Sequence, residues 1–510
     1  MKNVMVINMG LKSIRCIVFN GDGMKLFNEA IPIKTAISAE KVEQDPKEWW
    51  QSAEKLIGRA ACECKDICID YITVTASASC LVCVDKDGVP LMRAFMVSDK
   101  RAEEESQYIS QMDEFKNVYE ETLLDMTASL MIPRLLWVKR HMPEVFCKTD
   151  KFLSPNDYML FKLSGSYVTD YFNAIKYHYN PEKKYYPLNL LNALGVSEQR
   201  LPIVKNPGDT VGRIKPALAE KLGISKNTEI VVTSYDAICS FIGSGVSEDG
   251  EASDVSGTVT VLRALSRDRS LHNNPMIYNL PLYKENANII GGSNNLGGGL
   301  VEWVKQCYYQ NEIYPYEVME KEAGESVLGA RGLIFLPYLL GERAPIWDDN
   351  ARGVFFGIER MHTRKDMTRA VFESTGFIDM DMIAAIEQTG IKINSVRLSG
   401  GLARVNLISQ IKADILGRDV LVLSEFETTS TGAAMMVMLG KGCFKDLREA
   451  ADKFVSVRMI IKPNMTNHQK YMYMYELYKD TYGTVKDLYV RRKRIISKMV
   501  DDREVRIENL

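Results

Sequence analysis

The sequence predicts an α/β protein made of two related halves, and three observations carry that prediction. The chain has 510 residues, beyond the roughly 100–200 residues of one ordinary domain. β-Branched runs alternate with stretches of helical periodicity along its length, the pattern of mixed α/β domains. Residues 4–19, VMVINMGLKSIRCIVF, and residues 253–265, SDVSGTVTVLRAL, repeat one strand, tight turn, strand signal about 250 residues apart.

Between these hairpins, residues 71–75 and 81–85 read as strands and 133–141 as a helix, while 229–236 reads as a strand ending in the carboxylate of Asp236. Apolar and small residues between positions 49 and 61 recur at helical spacing, which sets Cys62, Cys64 and Cys68 near a helix end. The second half predicts a helix over 364–388 and a strand, double glycine, helix unit over 395–416. SEDG at 247–250 interrupts the pattern and marks a domain boundary. From Phe444 onward the chain reads as helix, with YMYMYELY at 471–478 packing back on the body. The expected organisation is 1–247, 248–443 and a helical extension 444–510.

Composition narrows the function classes. With 46% hydrophobic residues, 25% charged residues and a formal net charge of -2, nothing calls for nucleic acid or an anionic membrane as partner. No apolar run approaches the roughly 18 residues that cross a bilayer, and the start turns polar at Gly10 and Lys12, unlike a secretory signal. The ten cysteines read as reduced thiols, and the expected location is cytoplasmic. The spacings of Cys62, Cys64 and Cys68 are not those of paired zinc ligands. Arg491, Arg492, Lys493 and Arg494 read as a solvated helix face.

Three features suit anion chemistry. The hairpin tips at Gly10 and at Ser256, Gly257 and Thr258 can aim successive N–H groups at phosphate oxygens, glycine allowing positive φ there. Gly400 and Gly401 stand between a strand and a helix, where backbone can approach a nucleotide or simply make a tight turn. Asp236 ends a buried strand before a small-residue helix, as a helix cap or as a base for a hydroxyl proton.

At 333–358, LIFLPYLLGERAPIWDDNARGVFFGI, the sequence resembles the FGGY carbohydrate kinases, and the run GERAP followed by Arg352 and Gly353 is specific to them. The resemblance runs through VEQDPKEWW at 42–50, DKDGVP at 85–90, SDKRA at 98–102, IPRLLWVKRHMPEVF at 132–146, FLSPNDYMLFKLSGSYVTD at 152–170, MHTRKDMTRAVFE at 361–373 and TGAA at 431–434. It implies two actin-like, ribonuclease-H-like domains closing on ATP, magnesium and a sugar. It also implies Asp236 as catalytic base; Ser77, Ala78, Ser79 and Asp99, with Asp236, at the sugar; and Ser13 and Arg15 in the first phosphate loop. Gly257 and Thr258 match the second phosphate motif, Gly298 a nucleotide-contacting glycine, and Gly400 and Gly401, with Asn406 in the same stretch, the adenosine motif.

This chain departs from the family in its first loop, which normally begins Asp-x-Gly-Thr. Here Asn8, Gly10 and Leu11 occupy those places, followed by Lys12. Asn8, the residue expected to act on Mg2+ through water, carries no negative charge, and Leu11 has no hydroxyl. Lys12 is expected to neutralise phosphate instead. The small TASAS segment at 75–79 replaces larger polar sugar contacts, and Val97 stands in place of a common tryptophan.

Two readings follow from the resemblance. One is ATP-dependent phosphorylation of a ketose, polyol or related carbohydrate at a terminal hydroxyl, with a xylulose-like pentulose as the default acceptor. The other is a sugar- or nucleotide-binding regulator of the same fold with weakened catalysis, motivated by Asn8, Leu11 and the TASAS segment. The expected partner is a small-molecule sugar, and a homodimer is left open.

Overall fold

The computed structural model describes residues 2–38, 40–268 and 274–499. The chain forms two compact units, one of Met1–Gly245 with Glu427–Val455 and one of Val246–Phe426 with Ser456–Leu510.

In the first unit, β1 (Val4–Met9), β2 (Ser13–Phe19), β3 (Lys25–Pro32), β4 (Tyr71–Ala76), β5 (Thr210–Arg213) and β6 (Glu229–Val232) form one sheet in the order β5-β6-β4-β1-β2-β3. The hairpin β1–β2 is antiparallel, whereas β4 runs parallel to β1 and β6 parallel to β4. Strands β1, β4 and β6 are fully or nearly fully buried, as continuous Val- and Ile-rich runs in a covered parallel sheet should be. The helix Pro46–Glu63 adds Trp49, Ala53, Leu56 and Ile57 to this core, and its end falls at Cys64, next to the expected cysteine cluster.

The second unit repeats the plan. Strands β7 (Glu251–Ser256), β8 (Thr260–Ser266), β9 (Tyr278–Leu282), β10 (Ala287–Ser293), β11 (Ser395–Gly400), β12 (Asp419–Leu423) and β13 (Val457–Ile461) are ordered β9-β10-β8-β7-β11-β12-β13. The run β10-β8-β7-β11-β12 has the same sequence of antiparallel and parallel pairings as β3-β2-β1-β4-β6. The two hairpins that look alike in sequence are thus equivalent places in two equivalent sheets.

The expected boundaries shift in two places. The segment Glu427–Val455 belongs to the first unit rather than to the second domain and tail. Its helix Thr429–Gly440 lies against Asp236–Gly243, and a side chain added at Gly243 or Gly432 would strike the backbone of the other helix. Only glycine at both positions permits that approach. The C-terminal region is not all helix: β13 intervenes between helices Leu447–Phe454 and Met465–Met499. Its residues are exposed or half-buried, so no alternation betrays an edge strand. Tyr471, Tyr475 and Tyr478 are buried against Phe377, as expected of the tyrosine run. Among the described residues no helix is long and apolar enough to cross a membrane.

Candidate active site

The first unit gathers its polar candidates at the C-terminal ends of parallel strands, where α/β sheets place ligands. Ser77 follows β4 directly, and Asp236 comes four residues after β6 as the first residue of its helix. Ser77 Oγ donates to Asp236 Oδ2 at 3.0 Å, while the Ala237 N–H donates to Oδ1 at 2.7 Å. Asp236 therefore opens the helix rather than ending the strand, and the helix carries no side-chain cap from Tyr235. Next to Ser77, Ala78 is half-buried and Ser79 is buried in the left-handed region at φ 58°.

Arg134 fixes that bend. Its fully buried guanidinium donates to the carbonyls of Ser79, Val97 (3.1 Å), Asp99 (3.2 Å) and Ala128 (3.1 Å). Burial lowers its pKa to about 10. Asp99 is only 2% exposed, and its carboxylate is occupied by the Val42 N–H and by Arg101, which also pairs with Glu43. Asp99 thus ties the loop to its surroundings, a use the expectation of a sugar contact had not included.

The β1–β2 turn carries the first phosphate-loop candidates. Asn8 stands opposite Arg15 in the ladder, and Ser13, two residues before Arg15, shares that face. Gly10, Leu11 and Lys12 are exposed. The Leu11 carbonyl accepts from Gln44 Nε2 (2.9 Å), and Gln44 Oε1 accepts from Trp49 Nε1 (2.8 Å), so two residues of VEQDPKEWW brace the loop. Asn8 Nδ2 donates to Glu427 Oε1 at 3.2 Å and to Ser430 Oγ at 3.0 Å. A carboxylate only accepts, so this pairing turns the Asn8 carbonyl oxygen away from Glu427. Glu427 Oε2 is buried without a hydrogen-bond partner. Glu427 and Ser430 had no signal in the sequence, lying 419 and 422 positions from Asn8.

In the second unit, the β7–β8 turn meets the start of the helix Gly298–Tyr308. The Gly298 N–H donates to the Gly257 carbonyl (2.7 Å), and the Gly297 and Gly299 N–H groups donate to the Thr258 carbonyl (2.8 and 3.1 Å). A Cβ on Gly298 would lie 2.6 Å from that Gly257 oxygen, so Gly298 is required by packing. Gly257 and Gly10 differ. Neither has positive φ, contrary to expectation, and a Cβ would meet nothing nearer than 3.7 and 3.5 Å respectively. The protein's own packing does not demand glycine there, and the open side leaves room for a ligand.

Gly400 has φ 84°, and a Cβ on it would collide with the Ser256 carbonyl, whereas Gly401 is open. Asn406 begins the following helix and accepts from Arg458 at 3.3 Å; Arg458 also donates to the Ala403 carbonyl. Arg404 and Arg458 both lie over the Phe426 ring. Arg458 sits on β13, the strand the sequence did not reveal.

Residues 3–243 match the model of the FGGY family of carbohydrate kinases, N-terminal domain, and residues 255–440 match that of its C-terminal domain. The chain belongs to the FGGY family of carbohydrate kinases. It is 30% identical over 88% of its length to a xylulose kinase of Staphylococcus epidermidis, covering 89% of that protein. It is 29% identical over 96% of its length to a xylulose kinase of Bacillus subtilis, covering 98%. Among solved structures, a gluconate kinase from Lactobacillus acidophilus superposes with a TM-score of 0.88 at 25% identity, covering 96% of this chain and 99% of that one. As an FGGY kinase this protein is an ATP-dependent carbohydrate kinase.

Proposed function

We propose that this kinase transfers the γ-phosphoryl group of ATP to a terminal hydroxyl of a xylulose-like pentulose, with Asp236 as the base. The observation that carries this reading is the Asp236 carboxylate at the strand ends, with one oxygen held by Ala237 N–H and the other by the Ser77 hydroxyl. Those two bonds orient the carboxylate before substrate arrives, the arrangement required of a general base. The acceptor O–H bond breaks as its oxygen bonds to phosphorus, the proton passes to Asp236, and ADP leaves with the electrons of the broken bridge bond. Naming of the relatives as xylulose kinases supports the pentulose, and the Ser77, Ala78 and Ser79 segment, fixed by Arg134, is the proposed sugar contact.

On the nucleotide side, the turn at Gly257 and Thr258 is the proposed cradle for phosphate, and the Gly400 and Gly401 turn with Asn406 the proposed adenosine contact. Lys12, Ser13 and Arg15 on the β1–β2 hairpin add hydroxyl and cationic groups for phosphate oxygens. The donor set also fits Mg2+: the Asn8 carbonyl oxygen faces away from Glu427, and Glu427 Oε2 is an unpartnered buried acceptor. Bound magnesium would offset phosphate charge during transfer. Asn8 through water, with Glu427 behind it, is the proposed holder.

A panel of ketoses, polyols and aldonates assayed for ADP release tests the reading. Turnover is expected with a pentulose; tight sugar binding with no turnover across the panel would instead establish a regulator of the same fold.

A further inference from the structure

The helix Asn406–Leu416 carries a lysine that is 1% exposed. Lys412 Nζ donates to Asp254 Oδ2 and to Ser256 Oγ (3.1 Å), and lies 2.6 Å from Asp379 Oδ2 as an ion pair outside hydrogen-bond alignment. Ser256 Oγ in turn donates to Asp254 Oδ1 (2.6 Å) and meets Thr260 Oγ1 (3.1 Å). Thr260 N–H donates to Asn294 Oδ1 at 2.7 Å. All of these groups are buried.

The position of this cluster links two nucleotide motifs. Asp254 and Ser256 are on β7, immediately before the Gly257 and Thr258 turn, and Thr260 begins β8 on the other side. Lys412 belongs to the helix that follows the Gly400 and Gly401 turn. Ser256 also stands opposite Gly400 in the β7–β11 ladder, and its carbonyl is the atom that excludes a side chain from Gly400. The Lys412 ammonium therefore joins the helix after the adenosine turn directly to one flank of the phosphate turn and, through the Ser256 hydroxyl, to Thr260 on the other.

We propose that Lys412 is a positioning residue that sets the spacing between the phosphate turn at Gly257 and the adenosine turn at Gly400, so that one ATP molecule engages both. The proposal rests on the reading of those two turns as the nucleotide site. Burying an ammonium in the core is costly unless its geometry is fully satisfied. An apolar side chain would pack there without holding Ser256. Burial alone would lower the Lys412 pKa, but Asp254 and Asp379 together reverse that and raise it. Burial, then the charge of Asp254, push Asp379 well up.

The test compares ATP with adenosine, which occupies only one of the two turns. In the variant Lys412→Met with Asp254→Asn, which removes the ammonium together with the carboxylate that accepts from it, ATP affinity by calorimetry is expected to fall roughly tenfold to a hundredfold, the size of one or two lost phosphate contacts. Adenosine affinity and the KM for sugar are expected to stay as in the unaltered enzyme. A folded variant whose ATP affinity is unchanged, or whose adenosine affinity falls in parallel, overturns the proposal by leaving Lys412 a purely structural ion pair. If the double variant shows no cooperative melting, Ser256→Ala removes only the hydroxyl link and is expected to give the same split between ATP and adenosine at smaller size; loss of neither overturns the proposal. Gly257→Val in the otherwise unaltered chain separates the two levels of the argument. Unchanged ATP affinity there would show that the turn does not hold phosphate, and the role of Lys412 would fall with that reading.

Discussion

Asn8 Nδ2 donates a hydrogen bond to Glu427 Oε1 across 3.2 Å, and this pairing alters what the neutral residue in the first loop means. The first loop taken by itself predicts that Asn8→Asp maintains or raises activity and strengthens magnesium dependence. With Glu427 in contact, aspartate at position 8 places two carboxylates together, and like charges at that distance hold one of them protonated unless a cation intervenes. Asn8→Asp is therefore expected to lower Tm in EDTA, to recover it with added Mg2+, and to show turnover that depends more steeply on Mg2+ than the natural enzyme. Equal Tm with and without the metal would rule out this account.

Asp236→Asn keeps the shape and the Ala237 contact but removes the basic oxygen. Turnover should fall by roughly 10²–10⁴-fold, while ATP affinity measured by calorimetry stays within about twofold, a window chosen to exclude loss of a charge-assisted contact. Ser77→Ala deletes one hydrogen bond to that carboxylate and should cost about tenfold or less in kcat. Retained turnover in Asp236→Asn would remove the residue from the base role.

The four carbonyls on Arg134 predict a stability effect with a specific rescue. Arg134→Met leaves the oxygens of Ser79, Val97, Asp99 and Ala128 without their donor and should cost about 3–5 kcal/mol in urea unfolding. Arg134→Lys, with three N–H donors, should recover part of that loss. If the bend at Ser79 matters for the sugar, the KM for sugar should rise in the lysine variant with the KM for ATP unchanged.

The Asp157 carboxyl, fully buried at the start of its helix, has its pKa pushed up to about 7, chiefly by burial, against the opposing hydrogen bonds from Ser154. The folded chain thus holds this proton more tightly than the unfolded chain, whose aspartates titrate near roughly 3.9. The stabilisation is full below pH ~4 and is lost as pH rises to about 7. Burial raises Glu342 to about 7 and Asp170 to about 6, with the same sign. His178, lowered to about 4 by burial, acts in the opposite sense, with stability lost as pH falls through that value. Asp157→Asn should therefore gain in Tm relative to the natural enzyme between pH 5 and pH 8, a window flanking the folded pKa; a pH-independent difference would show that Asp157 does not titrate in this range.

Much of the architecture was legible because it depends on near neighbours. The Val- and Ile-rich runs around Gly10 and Gly257 specify hairpins locally, and the helix expected over 364–388 is Arg364–Glu387. Asp236 was legible as a carboxylate between a buried strand and a small-residue helix, but whether it capped that helix or faced substrate could not be read from its neighbours. Its bond to Ser77 spans 159 positions. The glycines show the same division: sequence marked Gly257 and Gly298 alike, whereas the structure leaves the first open to a ligand and packs the second against the first.

The sequence by itself determined two related α/β halves, the kinase motif set, and the residue types available for phosphate, sugar and proton transfer. These follow from periodicity, turn chemistry and short motifs, whose physics acts over a few residues. Only tertiary structure decided that the segment Glu427–Val455 returns to the first unit, that Glu427 takes up the amide of Asn8, and that Lys412 lies beneath Ser256. Those relationships are set by sheet register and helix packing across hundreds of residues. A charged side chain acquires its role there only when burial has selected its partners.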